Sequence, residues 1–261
     1  MRKTDKTNEE NYNNQNYKMR IIEYKNYNDI IVEFQDSFKA QVHTNYTAFK
    51  NGGVRNPYAP NLCGVGIVGN KYPTKDKNNK RTKEYAAWSS MITRCYTKTY
   101  VNNENFYHRY EDKVICNEWL LFDNFYEWLH SQENFDKWLN GNHWEVDKDI
   151  LIKNNKIYSP ETCCLVPHDI NTLFIKSNKI RGDFPIGVTY KTRDNIFEAQ
   201  CNVNSKETYL GRYDNALDAF YAYKNFKENL IKKTAQEEYD KENITKRCYE
   251  AMMSYEVEIT D

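Results

Sequence analysis

The chain has 261 residues, of which 28% are charged and 15% aromatic, and its mean hydropathy is -0.93. So polar a chain predicts several small cores rather than one large core, and so many aromatic residues exclude a wholly disordered chain. Basic and acidic residues balance at 37 each, which argues against a uniformly basic nucleic-acid-binding protein. Seven scattered cysteines without a Cys-x-x-Cys pair predict reduced thiols, and no run approaches the ~20 apolar residues of a membrane span. We therefore expect a cytoplasmic protein that does not contact a membrane.

The N-terminal part of the chain predicts a tail followed by a small sheet. Residues 1-17 are rich in asparagine and lack an apolar period, which predicts a flexible tail. Three short runs of β-branched and aromatic residues follow, separated by polar gaps, and they predict a three-stranded meander. We assign residues 18-72 to this small β module. Residues 73-84 are predicted to be a basic linker.

The hydrophobic period changes from that of a strand to that of a helix after residue 84. One aromatic stripe with helical spacing begins at Trp88, and a second one begins at Trp119. Both stripes are interpreted as core residues rather than as a ligand platform. Short strands and a helix that begins after Pro167 complete a predicted core over residues 85-180.

Strand-like alternation returns in the last third of the chain. Three runs with a period of two residues, at residues 186-190, 196-203 and 207-213, precede an amphipathic helix for which Asp214 is the predicted N-cap. These elements define a module at residues 181-238. A C-terminal helix and a strand at residues 257-259 are predicted within the segment 239-261. The predicted fold class is therefore α+β.

The charges are distributed unevenly along the chain. Residues 71-113 carry ten positive and five negative charges, and residues 174-213 carry seven and four. Residues 116-149 carry two positive and eight negative charges. Two basic stretches thus flank an acidic one, which fits phosphate-binding arms around a metal-binding centre and equally fits a solvated charged surface.

Four ordered motifs between residues 85 and 175 carry a family resemblance. They are Trp88-x-x-Met91-x-x-x-Cys95, Cys116-x-Glu118-Trp119-x-x-Phe122-x-x-Phe125, Val146-Asp147-Lys148 and Tyr158-Ser159-Pro160-Glu161-Thr162-Cys163. Together these motifs resemble the phage-borne HNH endonuclease family, whose ββα core holds a divalent metal against the scissile phosphate. The resemblance implies that Asp147 and Asn171 bind Mg2+ or another divalent metal.

Lys148 departs from the family pattern, because it stands where that family has the histidine that takes a proton from the attacking water. A lysine with the ordinary pKa of ~10.4 is protonated near neutral pH and cannot act as that base. Two histidines are candidate substitutes: His143 lies four residues before Asp147, and His168 opens the helix that carries Asn171. Nothing in the spacing forces either histidine towards a metal, so a surface position is the alternative.

A second resemblance covers the last module. It rests on Gly187-Val188, Phe197-x-Ala199, Tyr209-Leu210-Gly211-x-Tyr213 and Asp218-Ala219-Phe220-x-Ala222-Tyr223. These motifs resemble the AP2 DNA-binding module, which implies a three-stranded sheet that enters the major groove. The predicted DNA-contacting residues are Lys191, Arg193, Glu198, Gln200, Asn202, Tyr209 and Arg212. An ordinary antiparallel sheet with one solvated face would show the same alternation.

The sequence leaves three functions open. The first is a double-stranded DNA-binding protein of phage or mobile-element type, located in the host cytoplasm, that resembles AP2/HNH homing endonucleases and has a degenerate nuclease core. The second is an active, metal-dependent DNA-nicking endonuclease. The third is a non-enzymatic regulator or inhibitor of a host protein, with the acidic stretch from Glu118 to Asp149 as a contact surface.

Overall fold

The computed structural model describes residues 5-97, 112-175, 184-203 and 206-261. The remaining parts of the predicted tail, core and last module lie outside the described residues. Within those residues the protein is of mixed α+β composition, as the sequence predicts. The chain divides into two compact units, unit 1 (Met1–His130) and unit 2 (Ser131–Asp261). The boundary between the units falls inside the range that the sequence assigns to a single core.

Unit 1 combines a sheet with short helices. Its described strands are β1 (Glu10–Tyr12), β2 (Lys18–Asn26), β3 (Asp29–Phe34), β4 (Gln41–Thr44), β5 (Pro60–Leu62), β6 (Gly66–Ile67) and β7 (Val114–Ile115). Its described helices are α1 (Tyr46–Lys50), α2 (Lys83–Tyr96) and α3 (Phe122–His130), with a 3-10 helix at Asn117–Leu120. Strands β1 to β4 form one antiparallel sheet in chain order.

The predicted meander is confirmed as strands β2, β3 and β4. Val32 on the central strand pairs with Ile21 on one side and with Val42 on the other. Alternate residues of β2 and β3 are buried on one face, where they pack against Phe49 of α1. The period of two residues in the sequence therefore marks the buried face of this sheet.

The predicted flexible tail at residues 1-17 is wrong for the part that forms β1, which pairs with β2. Two asparagine side chains hold this segment. The Asn11 amide donates to the Phe49 carbonyl at 2.8 Å, and the buried Asn13 amide donates to the Val54 carbonyl at 3.0 Å. Such hydrogen bonds between distant residues leave no apolar period in the sequence, which is why the pattern predicts disorder.

A second core of unit 1 lies between α2, α3 and the 3-10 helix. The indole Nε1 of Trp88 donates to the Trp119 carbonyl at 2.7 Å, which satisfies a polar atom inside this core. Trp119 packs edge-on against Phe125 with ring centroids 5.2 Å apart, and Trp88 packs against Phe122 at 5.5 Å. The aromatic stripes are core residues, as their helical spacing predicts.

Unit 2 contains a short strand pair, a three-stranded sheet and a long helix. Its described strands are β8 (Trp144–Asp147), β9 (Ile157–Tyr158), β10 (Cys164–Pro167), β11 (Val188–Lys191), β12 (Ile196–Val203) and β13 (Lys206–Tyr213). Its described helices are α4 (Phe135–Asn140), α5 (His168–Leu173), α6 (Ala216–Asp240) and α7 (Lys246–Met253). No disulfide forms among the seven cysteines, all of which lie within the described residues.

Helix α6, 25 residues long, belongs to two cores of unit 2. Its first half packs against the β11–β13 sheet, where Ala219 of the helix and Ala199 of β12 belong to one buried cluster. Its second half, including Ile231, packs with Ile170 of α5 and with Met252 of α7. The sequence assigns these partners to three separate segments, whereas one continuous helix joins them in a single unit.

The C-terminal segment differs from the prediction. Among the described residues no strand forms at 257-259, because the Val257 N–H donates to the Glu228 carboxylate of α6 at 2.8 Å and is not free to join a sheet. The N-cap of α6 is one residue later than predicted. Asn215, rather than Asp214, accepts a hydrogen bond from the first turn of the helix, at 2.9 Å.

Candidate functional site

Strands β8 and β10 form an antiparallel pair that leads directly into helix α5. Asp147 pairs with Cys164 at one end, and Trp144 pairs with Pro167 at the other. Because α5 begins at the residue after Pro167, its first turn lies beside the start of β8. We call this arrangement the ββα segment. In chain order the short strand β9 lies between β8 and β10, and the helix follows β10 directly.

Glu145 on β8 is the centre of a polar cluster with α5. One oxygen of its carboxylate accepts a hydrogen bond from the Asn171 amide, and the other lies 2.5 Å from Nδ1 of His168. The His143 ring lies 6.4 Å from the His168 ring, and the His143 carbonyl accepts the His168 backbone N–H at 2.7 Å. The two candidate base residues therefore lie next to each other and beside a carboxylate.

Asp147 and Asn171, the two predicted metal ligands, have separate hydrogen-bond partners. Among the described residues, no hydrogen bond joins them, and Asn171 instead bonds Glu145, two residues earlier on the same strand. Oδ1 of Asp147 accepts the backbone N–H groups of Asp149 and Ile150 at 2.8 Å each, in an Asx-type turn that ends β8. Burial, together with the negative charge of Asp149, raises the pKa of Asp147 to about 6.

Lys148 is buried and its charge is already satisfied. Its Nζ lies 2.5 Å from the Asp149 carboxylate, donates to the Asn155 carbonyl at 3.3 Å, and sits 5.6 Å from the ring centroid of Tyr158. The Asn155 amide in turn donates to the Lys148 carbonyl at 2.9 Å and to the Ile157 carbonyl. A lysine held in this way is arranged as a structural cation and not as a proton acceptor.

The donor set does not fit a metal ion held by Asp147 and Asn171. In the described parts of the chain, no group of three or more His, Cys, Asp or Glu side chains is arranged to hold a metal. One Asp147 oxygen already accepts two backbone N–H groups, and the Asn171 amide faces a carboxylate. Divalent-metal binding at these residues therefore stays a prediction from the family resemblance.

Three residues that organise β8 and the loop after it, Glu145, Asp149 and Asn155, are not among the predicted site residues. The period of two residues along β8 was a usable signal for the first, because residues 145 and 147 share one face of a strand. Adjacent asparagines at 154-155 predict only a turn. Their hydrogen bonds across the loop follow from its closed conformation, which no local pattern specifies.

The β11–β13 sheet presents one face to α6 and the other to solvent. Val188, Ala199 and Cys201 are buried against the helix, as the predicted alternation requires. The solvent face carries the DNA-contacting residues predicted on these strands, which are Lys191, Glu198, Gln200, Asn202, Tyr209 and Arg212. A β-bulge between Ala199 and Gln200 shifts the register so that Gln200 pairs with Tyr209.

Glu198 lies at the centre of this solvent face and holds two cations. Nζ of Lys191 lies 3.4 Å from its carboxylate, and Nε of Arg212 lies 3.1 Å from it. Only 12% of the Glu198 side chain is exposed. This cross-strand network orients the two cations and cancels part of their charge.

Arg193 and Tyr209, two further predicted contacts, are both exposed. Arg193 lies in the turn between β11 and β12, where its side chain is 92% exposed and its Nε lies 3.1 Å from the Asp194 carboxylate. Tyr209 is 58% exposed and lies opposite Gln200. The face therefore combines amides, cations, a carboxylate and an exposed aromatic ring, which are the side-chain types that contact base edges and phosphates.

Comparison with known proteins adds no family to this description. No protein-family model matches the chain, and no curated protein and no solved structure matches it. Within the described ranges, no helix combines the length and the apolar character that crossing a membrane requires.

Proposed function

We propose that this protein binds double-stranded DNA through the solvent face of the β11–β13 sheet. The observation that carries this proposal is the set of six long polar side chains on one face of a sheet whose other face is buried against α6. Three adjacent strands span ~10 Å between the outer two, which is close to the ~12 Å width of the major groove. A rigid polar face of this width is suited to reading base edges.

Each side chain on this face has a defined recognition chemistry. The amide of Gln200 or Asn202 can pair with the N6 amino group and N7 of an adenine in the major groove. Arg212 can pair with O6 and N7 of a guanine. The carboxylate of Glu198 can accept from the cytosine amino group. Lys191 and the exposed Arg193 are suited to phosphate contacts, which position the protein without reading sequence.

We further propose that the ββα segment is a degenerate nuclease core. Three features support this: the Asp147 carboxylate is occupied by a turn, Lys148 is neutralised by Asp149, and Asn171 bonds Glu145. In this proposal the protein resembles AP2/HNH homing endonucleases of phage type in its motifs, and retains the DNA-binding part of their activity. Lys148 serves the fold and does not catalyse hydrolysis.

The DNA-binding proposal is tested by electrophoretic shift and by selection from a random duplex pool, using the full chain. Replacing Gln200 and Asn202 with alanine should relax the selected sequence, and affinity should fall by about 5- to 150-fold for each bidentate pair that is removed, which corresponds to ~1–3 kcal/mol. The matched control replaces Asn225 and Asn229, exposed on α6, with alanine. A wild-type protein that shifts no mixed-sequence duplex at low salt would refute the proposal.

One observation favours a second function, metal-dependent DNA nicking. The Glu145 carboxylate at 2.5 Å from Nδ1 of His168 is suited to fix that nitrogen as a donor, which leaves Nε2 as a proton acceptor. His168 would then take the proton from a water molecule that attacks a phosphodiester.

Supercoiled plasmid with Mg2+ or Mn2+ distinguishes the two functions. We expect no nicked or linear product from the wild-type protein, and no heat of Mg2+ binding in a calorimetric titration. Nicking that disappears in both His168→Ala and Glu145→Gln, but persists in the control Asp169→Asn at an exposed position on α5, would establish the second function.

A further inference from the structure

Unit 1 carries a strongly basic loop directly before helix α2. Residues 74-81, which we call the basic loop, have the sequence Thr-Lys-Asp-Lys-Asn-Asn-Lys-Arg, with four cations and one carboxylate. The sequence predicts a linker here, whereas the structure has a closed turn. The loop belongs to unit 1, whereas the β11–β13 sheet belongs to unit 2.

Backbone hydrogen bonds close the basic loop. The Asp76 N–H donates to the Lys80 carbonyl, and Oδ1 of Asp76 accepts the backbone N–H groups of Asn78 and Lys80 at 2.9 Å each. Lys75 and Arg81 form an antiparallel bridge at the base of the loop. The carboxylate of the loop is therefore used to hold the turn, and the cations are fixed to an ordered backbone.

The four cations of the loop are exposed, and no acidic side chain in the described part of the chain pairs with them. Lys75, Lys77, Lys80 and Arg81 form no ion pair with any described residue. Two of these cations contact uncharged groups: Nζ of Lys75 donates to the Asn79 amide oxygen at 2.9 Å, and Arg81 lies 6.0 Å from the Tyr85 ring centroid. Several exposed lysines elsewhere in the chain lie beside a glutamate, so the unpaired positive charge of this loop is a local feature.

We propose that the basic loop binds the phosphate backbone of duplex DNA, as a second contact surface in addition to the sheet; this inference rests on the proposed function. The loop exposes no apolar side chain from Thr74 to Arg81. Protein interfaces are organised around buried apolar and aromatic anchors, so an acidic protein partner fits this surface poorly. Phosphate contacts need only cations, amides, hydroxyls and backbone N–H groups, all of which the loop presents.

The test measures the affinity of the full chain for its selected duplex as a function of salt. The slope to be compared is that of the logarithm of the binding constant against the logarithm of the salt concentration. Replacing the four cations with glutamine should make this slope less steep by about 0.9 for each phosphate that is no longer neutralised, or roughly 2 to 4 in total. The selected sequence should not change, because phosphate contacts carry no base information. The control replaces four exposed, glutamate-paired lysines with glutamine, which are Lys18, Lys25, Lys233 and Lys246.

A gain of affinity provides an independent test that misfolding cannot imitate. Asp76→Asn keeps an oxygen that accepts the two backbone N–H groups but removes the negative charge of the loop. We expect binding to tighten about two- to threefold. This is the effect of removing the repulsion between one unit negative charge and a phosphate roughly 8 Å away in water.

The possible outcomes separate the two proposals. A loop variant whose salt dependence equals that of the control, together with unchanged binding by Asp76→Asn, overturns the basic-loop proposal and leaves DNA binding by the sheet intact. A wild-type chain that binds no duplex at low salt overturns both proposals. Loss of sequence preference in the loop variant would contradict a pure phosphate contact.

Discussion

The buried carboxylate of Asp147 gives the sharpest physical prediction, for the variant Asp147→Asn. The carboxylate is almost fully buried, and Oδ1 accepts two backbone N–H groups at 2.8 Å. The asparagine side-chain oxygen can accept the same two hydrogen bonds, so the turn at the end of β8 is retained. What the substitution removes is the charge.

The magnitude follows from the pKa. Burial raises the pKa of Asp147 from 3.8 to about 6, a shift of about 2 units, and each unit corresponds to ~1.36 kcal/mol. The folded state therefore holds this proton more tightly than the unfolded state does. The contribution of Asp147 to the free energy of unfolding should therefore fall as pH rises from about 4 to about 6, and stay at the lower value above that range.

The Asp147→Asn variant should not lose stability in this way as pH rises, because the asparagine side chain does not titrate. We expect the variant to be more stable than the wild type by roughly 1 to 3 kcal/mol at pH 7, with the difference disappearing below pH ~4. Urea unfolding followed by circular dichroism across pH 4 to 8 measures it. Asp169→Asn, at an exposed position on α5, is the control and should show no such gain. A variant that is less stable at pH 7, or a difference independent of pH, would refute the reasoning.

Two further predictions concern residues that hold the fold. Gly187→Ala should destabilise the protein by roughly 2 to 4 kcal/mol in the same urea assay, because φ is +78° and the added Cβ would meet the Tyr223 ring. Gly64→Ala, with φ of +76° and no atom within 4 Å of the added Cβ, should cost only about 1 kcal/mol, and equal losses would contradict this account. Asn155→Ala removes the three side-chain hydrogen bonds that close the loop after Lys148 and should cost roughly 1 to 3 kcal/mol; an unchanged urea midpoint would show that those bonds contribute nothing.

Elements with a strong local period could be predicted from the sequence. Strand β12 occupies the residues that the alternation predicts, and β13 begins one residue before its predicted start. The aromatic stripe that begins at Trp88 is core, as its helical spacing indicates. These predictions succeed because alternation and helical spacing record which face of each element is buried, and burial of apolar area is the dominant favourable term in folding.

The hydrogen-bond partners at the candidate site could not be predicted from such periods. Asp147, His168 and Asn171 could be selected as polar residues near the ends of predicted elements, but not their partners. The bond from Asn171 goes to Glu145, which is 26 residues away along the chain, and Lys148 is neutralised by its neighbour Asp149. Hydrogen-bond partners depend on distance and direction in the folded chain, which residue types and spacing do not specify.

The sequence by itself determined the α+β class, the meander, the aromatic cores and the polar face of β12. Each of these features produces a strand-like or helical spacing of apolar residues within one segment. Only the tertiary structure decided that Asn11 and Asn13 order the N-terminal segment and that α6 serves two cores. It also decided that Val257 bonds a helix side chain and forms no strand. These features rest on contacts between residues far apart in sequence, and the free energy of such contacts exists only once the chain has closed around them.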